Sequence, residues 1–195
     1  MSPKLILASG SPRRRELLTG LGLAFTVRPV DLDETPLDGE DPSGYVTRLA
    51  AAKARSRTGP DELTLAADTS VVLDGKLLGK PEDPGEAREM LGRLAGREHQ
   101  VFTGVAVYDG TDERLASGVD SSKVRIAALS VEEIAWYVAT GEPLDKAGSY
   151  AIQDLGALFV ERVEGNYTNV VGLPLPLTYQ LFGQIGFNLL SFRTG

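Results

Sequence analysis

The sequence contains no cysteine and a single histidine, His99. Without cysteine, the chain cannot form disulfides, use a thiolate nucleophile or bind zinc through thiolates. One histidine also leaves no histidine-based metal site and no nucleophilic triad with a histidine base. A lone histidine is usually structural. Any bound metal is therefore expected to be a hard, oxygen-liganded cation.

Long apolar runs and an excess of positive charge are also missing. No stretch approaches the roughly 18 uninterrupted apolar residues that cross a membrane, and the N-terminus lacks the regions of a signal peptide. The expected location is the cytoplasm. Twenty Lys and Arg against 27 Asp and Glu give a net charge of −7, which argues against a nucleic-acid surface.

What the sequence does have is enough apolar residues, 42% of 195, for a substantial core. We expect one domain over residues 1–195. Strand and helix signals mix throughout, which predicts an α/β protein with a mixed sheet. Strands are predicted at 4–8, 25–29 and 157–165, and in hairpins around Asp74-Gly75 and Asp109-Gly110. Helices are predicted at 12–21, 43–57, 84–95, 131–140 and 174–190.

The stretch LILASGSPRRRELL, residues 5–18, combines a buried strand with the start of a helix. Ser11 is the predicted N-cap and Pro12 the first helical residue. Arg13, Arg14 and Arg15 then fall in the first turn, where the helix dipole disfavours cations. On an acidic protein, this local positive charge indicates a small anionic ligand.

Asp68 is polar where the pattern predicts apolar residues. The run from Leu63 to Leu73 is almost continuously apolar, as in a strand covered on both faces. A buried, ionised carboxylate there needs a cation, hydrogen-bond donors or a raised pKa. Alternatively, Asp68 lies at the end of the strand and caps a loop.

Three other charged residues have ordinary explanations when taken singly. Lys53 falls on the apolar face of the helix predicted at 43–57, and its amine could simply extend to water. Lys80 follows a hairpin, like many surface lysines, and Glu34 lies in an acidic loop. Together with the arginines and Asp68, however, they supply both cationic groups that can bind an anion and carboxylate oxygens that can bind Mg²⁺ or Mn²⁺. This combination is typical of polyphosphate chemistry, although the chain has neither GxxxxGK[ST] nor GxGxxG.

Several segments in the same order resemble the Maf family, the septum-formation-inhibitor-like nucleotide pyrophosphatases. They are ASGSPRR, DETP, LAAAKA, AADTSV, GKP, HQVFTGVA, EPLDKAGSYAIQ and NYTNVVGLPL. The similarity covers about Leu5 to Leu177.

The resemblance implies a fold like that of inosine triphosphate pyrophosphatases, with an elongated mixed sheet and two lobes around a cleft, and a homodimer. It implies hydrolysis of a nucleoside triphosphate to the monophosphate and pyrophosphate. Asp68 matches the proton-accepting aspartate, and Glu34 matches a carboxylate near the divalent metal, to which we also assign Asp68. The matching phosphate-binding positions are Ser9, Arg14, Lys53 and Lys80.

Three positions separate subgroups of the family, and here they are Arg13, Thr69 and Gln153. The subgroup that acts on dTTP and UTP is similar at all three. A subgroup acting on 7-methyl-GTP has an aromatic residue, glutamine and glutamate instead. A neutral glutamine amide suits the donor and acceptor edge of uracil or thymine. The alternatives are a wider substrate range that includes modified pyrimidines, and a non-catalytic nucleotide sensor that restrains septum formation through a protein partner.

Overall fold

The computed structural model describes residues 3–56 and 58–194. Within them lie seven strands: β1 (Lys4–Leu7), β2 (Thr26–Val27), β3 (Glu62–Leu73), β4 (Lys76–Leu78), β5 (Glu98–Asp109), β6 (Arg114–Ile126) and β7 (Val160–Glu164). The same residues form six α-helices: α1 (Pro12–Gly20), α2 (Pro42–Arg55), α3 (Pro84–Leu94), α4 (Val131–Ala139), α5 (Tyr167–Val171) and α6 (Leu175–Gln184). Short 3₁₀ helices cover Glu142–Asp145, Ala147–Ser149, Asp154–Phe159 and Leu189–Phe192.

The strands form one mixed sheet, which confirms the predicted fold class. Its order is β2-β1-β3-β5-β6-β7, with β4 paired to β3 off this path. β1 runs parallel to both neighbours, with Leu5 opposite Leu63 and Ile6 opposite Thr26. The β3–β4 and β6–β7 pairs are antiparallel.

The chain divides into two compact units, each with its own apolar core. Unit 1 takes in the chain up to Asp68, Thr103–Asp120 and the chain from Gly172 onward. Leucines of β1 and β3 and the aromatic ring of Phe182 fill its core. Unit 2 comprises Thr69–Phe102 and Ser121–Val171, and its core includes Leu91, Ile126 and Tyr137.

In unit 1, small side chains bring α2 close to the sheet. Successive residues of a strand point to opposite faces, so Ala66 and Asp68 share one face of β3. Ala66 packs there with Ala50 and Ala54 of α2. On β5, a Cβ added to Gly104 would lie 2.2 Å from the carbonyl oxygen of Val46, so a side chain there would push α2 away. This close packing brings the α2 side chains to the face that carries Asp68.

Local signals predicted most helix starts correctly. Asp83 caps α3 through its side chain, and Ser130 and Glu133 form a complete capping box on α4. Ser11 occupies the predicted N-cap position of α1, although its side chain makes no capping hydrogen bond. The capping box predicted at the start of α3 was wrong. Glu86 accepts a hydrogen bond from the main chain of Glu82 instead of completing a capping box with Asp83.

Element ends differ more from the predictions, because tertiary contacts decide them. The predicted closing helix ends at Gln184 instead of residue 190, near Gly186, which has a φ of +84°. The segment 142–156, predicted as a loop, contains 3₁₀ turns, and α5 was not predicted. The predicted end of α2 at Arg57 lies outside the described residues. In the described part of the chain, no helix is long and apolar enough to cross a membrane.

Candidate active site

Unit 1 contains an ion-pair cluster built on β3, α2 and the loop before α2, with its two central side chains buried. The Nζ of Lys53 lies 2.6 Å from Oδ1 of Asp68 and 2.5 Å from Oε1 of Glu34. The Lys53 side chain is 9% exposed, the Asp68 side chain 12% and the Glu34 side chain 53%. Lys53 therefore does not extend to water, Asp68 lies within the strand and not at its end, and Glu34 pairs with a cation.

Burial and charge act on Asp68 in opposite directions. Removal from water raises the pKa of its carboxyl, while the ammonium group of Lys53 and, more weakly, the guanidinium of Arg14 favour the ionised form. The nearby charge of Glu34 adds to the upward effect on the pKa. A carboxylate held in this balance is a candidate for a general base.

Arg14 lies at the start of α1 and is fixed on two sides. Its Nε donates to the carbonyl oxygen of Gly172 at 2.7 Å, and its Nη1 donates to Oγ of Ser9 at 2.9 Å. Burial lowers the pKa of Arg14 and the charge of Asp68 opposes this, yet an arginine stays cationic. The Ser9 oxygen also accepts from the backbone N–H of Ser11 at 3.3 Å, so its own hydroxyl proton can be donated to a ligand.

The acidic loop before α2 is tied to that helix, and this places Glu34. Arg48 on α2 binds both carboxylate oxygens of Glu40, at 2.6 and 2.7 Å, and donates to the carbonyl oxygen of Thr35 at 3.2 Å. The Tyr45 hydroxyl donates to the carbonyl oxygen of Glu34 at 2.8 Å. Burial, with Asp68 and Glu34 nearby, raises the pKa of Tyr45 to about 12, so this hydroxyl remains a donor.

The remaining predicted site residues are Arg13, Thr69, Lys80 and Gln153. Arg13 is half-buried on α1. Thr69 is half-buried and follows Asp68 in β3, so its side chain points to the opposite face of the strand.

In unit 2, Lys80 is exposed and Gln153 is half-buried. The main chain beside Lys80 is tied to the segment that leads to Gln153, because the N–H of Gly148 donates to the carbonyl oxygen of Gly79 at 3.0 Å.

Sequence reasoning missed several supporting residues. Tyr45, Arg48 and Glu40 were not singled out, and neither was Tyr137, whose hydroxyl donates to Oε1 of Glu142 at 2.8 Å. These side chains act through partners that are distant in the sequence or in the loops, and hydrophobic periodicity carries no signal for such pairs.

His99 is buried in unit 2, as expected of a structural histidine. Its Nε2 lies 2.7 Å from the Tyr150 hydroxyl. Burial lowers the pKa of His99 to about 4, so the ring is neutral at neutral pH.

The carboxylates of unit 1 have the donor chemistry for a hard cation. Glu34 and Asp68 converge on the same positive charge, the ammonium of Lys53. Among the described residues, no three His, Asp or Glu side chains gather into a complete metal site. Mg²⁺ commonly takes only one or two carboxylates and completes its shell with phosphate oxygens and water. The residues present therefore fit a cation shared with a phosphate-bearing ligand.

Comparison with known proteins covers nearly the whole chain. The family model described as Maf-like protein matches residues 4–185. A protein named dTTP/UTP pyrophosphatase from Anaeromyxobacter dehalogenans (strain 2CP-C) is 54% identical over 194 residues, which cover 97% of each chain. Proteins of the same name from Symbiobacterium thermophilum (strain DSM 24528 / JCM 14929 / IAM 14863 / T) and Myxococcus xanthus (strain DK1622) are 49% and 51% identical. These two alignments cover 98% and 95% of this chain, and 99% and 94% of the relatives.

The matched region contains every residue predicted for the site, from Ser9 to Gln153. It also contains the ion-pair cluster of unit 1 and the segment of unit 2 that carries Gln153. This protein belongs to the Maf family.

Proposed function

We propose that this protein hydrolyses dTTP and UTP to the nucleoside monophosphate and pyrophosphate. The observation that carries the proposal is the ion-pair cluster in which the buried Lys53 binds both the buried Asp68 and the more exposed Glu34. Arg14 is fixed close enough to interact with the charge of Asp68. The names of relatives about 50% identical over nearly the whole chain support the choice of dTTP and UTP.

In the proposed reaction, water attacks the α-phosphorus of the bound nucleotide. The bond between this phosphorus and the oxygen bridging to the β-phosphate breaks, and pyrophosphate leaves with the bonding electron pair. Asp68 orients the attacking water and accepts its proton. Arg14, Lys53 and Lys80 balance the negative charge on the phosphates, and the Ser9 hydroxyl donates to a phosphate oxygen.

We also propose a Mg²⁺ or Mn²⁺ cofactor held by Glu34 and Asp68. Such a cation would neutralise the charge that develops on the triphosphate. Lys53 now binds both carboxylates, so it must share or yield these oxygens when the cation and substrate are present. Its flexible stem permits this change without a movement of α2.

Selectivity for pyrimidines is proposed to rest on Gln153, with contributions from Arg13 and Thr69. A primary amide offers one acceptor and two donor hydrogens, which match the carbonyl and N–H groups of uracil and thymine. The neutral side chain also gives no advantage to a cationic base such as 7-methylguanine. Modified pyrimidine nucleotides with the same edge are included in the proposed substrate class.

The test is a panel of nucleoside triphosphates incubated with the wild-type protein, with Mg²⁺, with Mn²⁺ and with a chelator. Chromatography identifies the nucleotide product, and a coupled assay separates pyrophosphate from phosphate. We expect monophosphate and pyrophosphate from dTTP and UTP, and none with the chelator. Formation of a diphosphate and phosphate would place the cleavage at the wrong bond. Binding of dTTP without turnover would favour the non-catalytic sensor.

The proposal also covers the location of the protein in the cell and its oligomeric state. We place the protein in the cytoplasm, where its nucleotide substrates are found, and expect a homodimer. The net charge of −7 supports a small-molecule substrate over a nucleic-acid partner. Light scattering during gel filtration would give the mass in solution, and 20.8 kDa would correspond to the monomer.

A further inference from the structure

The segment 142–156 of unit 2 has an unusual main chain around Gln153. Asp154, the next residue, has a φ of +54°, and Ser149 has a φ of +60°. Left-handed conformations are uncommon for residues with a side chain, and they persist where the surroundings hold them. The Gln153 side chain does not cap the 3₁₀ helix that begins at Asp154. Something else must therefore hold this segment.

The side chain of Glu142 supplies most of the anchoring. Its Oε1 accepts hydrogen bonds from the Tyr137 hydroxyl at 2.8 Å and from the N–H of Gly156 at 2.9 Å. Its Oε2 accepts from the N–H of Leu155 at 3.1 Å. One carboxylate thus fixes the main chain two and three residues after Gln153.

Tyr137 fixes the other side of Gln153. Its hydroxyl oxygen accepts from the N–H of Ala151 at 3.1 Å while its proton goes to Glu142. The Tyr137 ring is fully buried and packs edge-to-face on Phe159, with ring centroids 5.3 Å apart. The hydroxyl therefore connects the main chain before Gln153 with Glu142, which binds the main chain after it.

Gly156 shows how tightly this loop closes. A Cβ added there would lie 2.3 Å from the carbonyl oxygen of Ala151 and 2.5 Å from the Tyr137 hydroxyl oxygen. The main chain before Gln153, at Ala151, therefore packs directly against the main chain after it, at Gly156. Gln153 itself is half-buried between these anchors.

From this geometry we infer that Tyr137 and Glu142 are positioning residues for base selection, acting through Gln153. The inference rests on the proposed function, in which Gln153 contacts the base. Neither residue touches the reacting phosphates in this scheme. They hold the main chain so that the Gln153 amide is already oriented when the nucleotide binds. Loss of this orientation lowers the selectivity between bases more than it lowers the rate of hydrolysis.

The test compares Tyr137→Phe and Glu142→Gln with wild type, using UTP and GTP as substrates. Phenylalanine keeps the ring but removes both hydroxyl hydrogen bonds. Glutamine keeps the shape, but its NH₂ group cannot accept from the main-chain donors. We expect KM for UTP to rise about five- to tenfold, the value of roughly one lost hydrogen bond. The ratio of kcat/KM for UTP to that for GTP should fall similarly, with kcat for UTP within about twofold.

A double substitution separates positioning from general stabilisation. In a Gln153→Ala background, Tyr137→Phe should leave the UTP to GTP ratio unchanged, because the side chain through which it acts is gone. Tyr179→Phe, an exposed tyrosine on α6, is the matched control and should resemble wild type. Melting curves establish that each variant is folded. If Tyr137→Phe does not fold, the same comparison of the UTP to GTP ratio is made with Glu142→Gln, in the wild-type and in the Gln153→Ala background.

Two failures have different meanings. If Gln153→Ala itself leaves the ratio unchanged, the proposed base contact fails, and the positioning role fails with it. If Gln153→Ala changes the ratio while Tyr137→Phe and Glu142→Gln do not, only the positioning inference is overturned. A loss of kcat equal for UTP and GTP would also overturn it.

Discussion

The candidate residues of the two units are held in different ways. In unit 1, formal charges of opposite sign meet directly, and Lys53 binds Asp68 and Glu34 in a largely buried position. In unit 2, the neutral amide of Gln153 lies in a loop whose main-chain N–H groups are fixed by Glu142 and Tyr137. Charges set pKa values and stabilise developing charge, whereas a fixed neutral amide selects hydrogen-bonding edges. We therefore expect the ion-pair cluster of unit 1 to govern turnover and the Gln153 loop of unit 2 to govern selectivity.

The largest expected effect is the loss of turnover in Asp68→Asn. The amide keeps the size of the carboxylate but cannot accept a proton, so kcat should fall by about 10² to 10⁴ for every substrate. Steady-state kinetics with dTTP and UTP provide the measurement, and circular dichroism checks the fold. Near-normal activity in a folded variant would remove Asp68 from the role of base.

Lys53→Gln tests whether the ammonium keeps Asp68 ionised. Without this cation the pKa of Asp68, already raised by burial, should rise further, because Lys53 is the main charge that favours the ionised carboxylate. Since the base acts when ionised, activity would then be lost at a higher pH as the solution is acidified. The acid limb of a plot of kcat/KM against pH measures the shift.

Lys76→Gln is the control for this experiment, because Lys76 is exposed on β4. Its acid limb should coincide with that of wild type. An unshifted limb in a folded Lys53→Gln variant would mean that Lys53 does not set the ionisation of the base. Melting curves are needed here, because removing one partner of a buried ion pair can cost about 3–5 kcal/mol.

Gln153→Glu should change selectivity and leave the chemistry of unit 1 intact. A carboxylate has only acceptors, so it would face the carbonyl oxygens of uracil without a hydrogen to donate. We expect kcat/KM for UTP and dTTP to fall about tenfold or more relative to purine substrates. Competition between UTP and GTP in one reaction gives the ratio directly. The exposed Gln180→Glu on α6 is the control, and an equal effect in both variants would contradict base reading.

The smallest effect is expected for Arg48→Gln. The substitution releases Glu40 and the carbonyl oxygen of Thr35, so the loop carrying Glu34 loses one of its ties to α2. Activity should fall only about two- to fivefold, since Tyr45 and Lys53 still hold Glu34. A loss as large as that of Asp68→Asn would mean that Arg48 takes part in the site directly.

The same variant gives a pH-dependent change in stability. Hydrogen bonding to Arg48 lowers the pKa of Glu40 from its ordinary value of 4.5 to about 2. A carboxyl with a lowered pKa stabilises the fold above its unfolded value and loses this contribution as the pH falls through its folded value. The difference in Tm between wild type and Arg48→Gln should therefore be largest above pH 4.5 and shrink towards about pH 2. Melting curves across this range measure it.

Sequence reasoning worked best where the signal was local. The capping residues Asp83 and Ser130 and the Asp74-Gly75 turn act on main chain within three residues, so their chemistry could be read directly. It failed where an element ends by packing, as at Gln184 in the final helix. Periodicity identifies the buried face of a helix but does not determine where its neighbours stop supporting it.

The candidate site shows the same division. The residue pattern marked Asp68 and Lys53 as polar groups at apolar positions, and the family resemblance gave them a shared role. The residue pattern left open whether the Lys53 amine extends to water and whether Asp68 lies at the end of its strand. It gave no indication of Tyr45, Glu40 or Glu142, because each of them takes part in a contact that joins a helix to a loop, and the position of the loop depends on the folded chain.

By itself, the sequence determined the α/β class, the absence of cysteine chemistry, the positions of the main helices and the family. These depend on composition, local main-chain preferences and ordered motifs, all of which are present in the linear chain. Only the tertiary structure decided that Lys53 lies between two carboxylates, that Arg14 is fixed by Ser9 and Gly172, and that one carboxylate and one hydroxyl hold both sides of Gln153. Such contacts join residues up to 158 positions apart, so only the close-packed, folded chain decides which charges are paired and which are solvated.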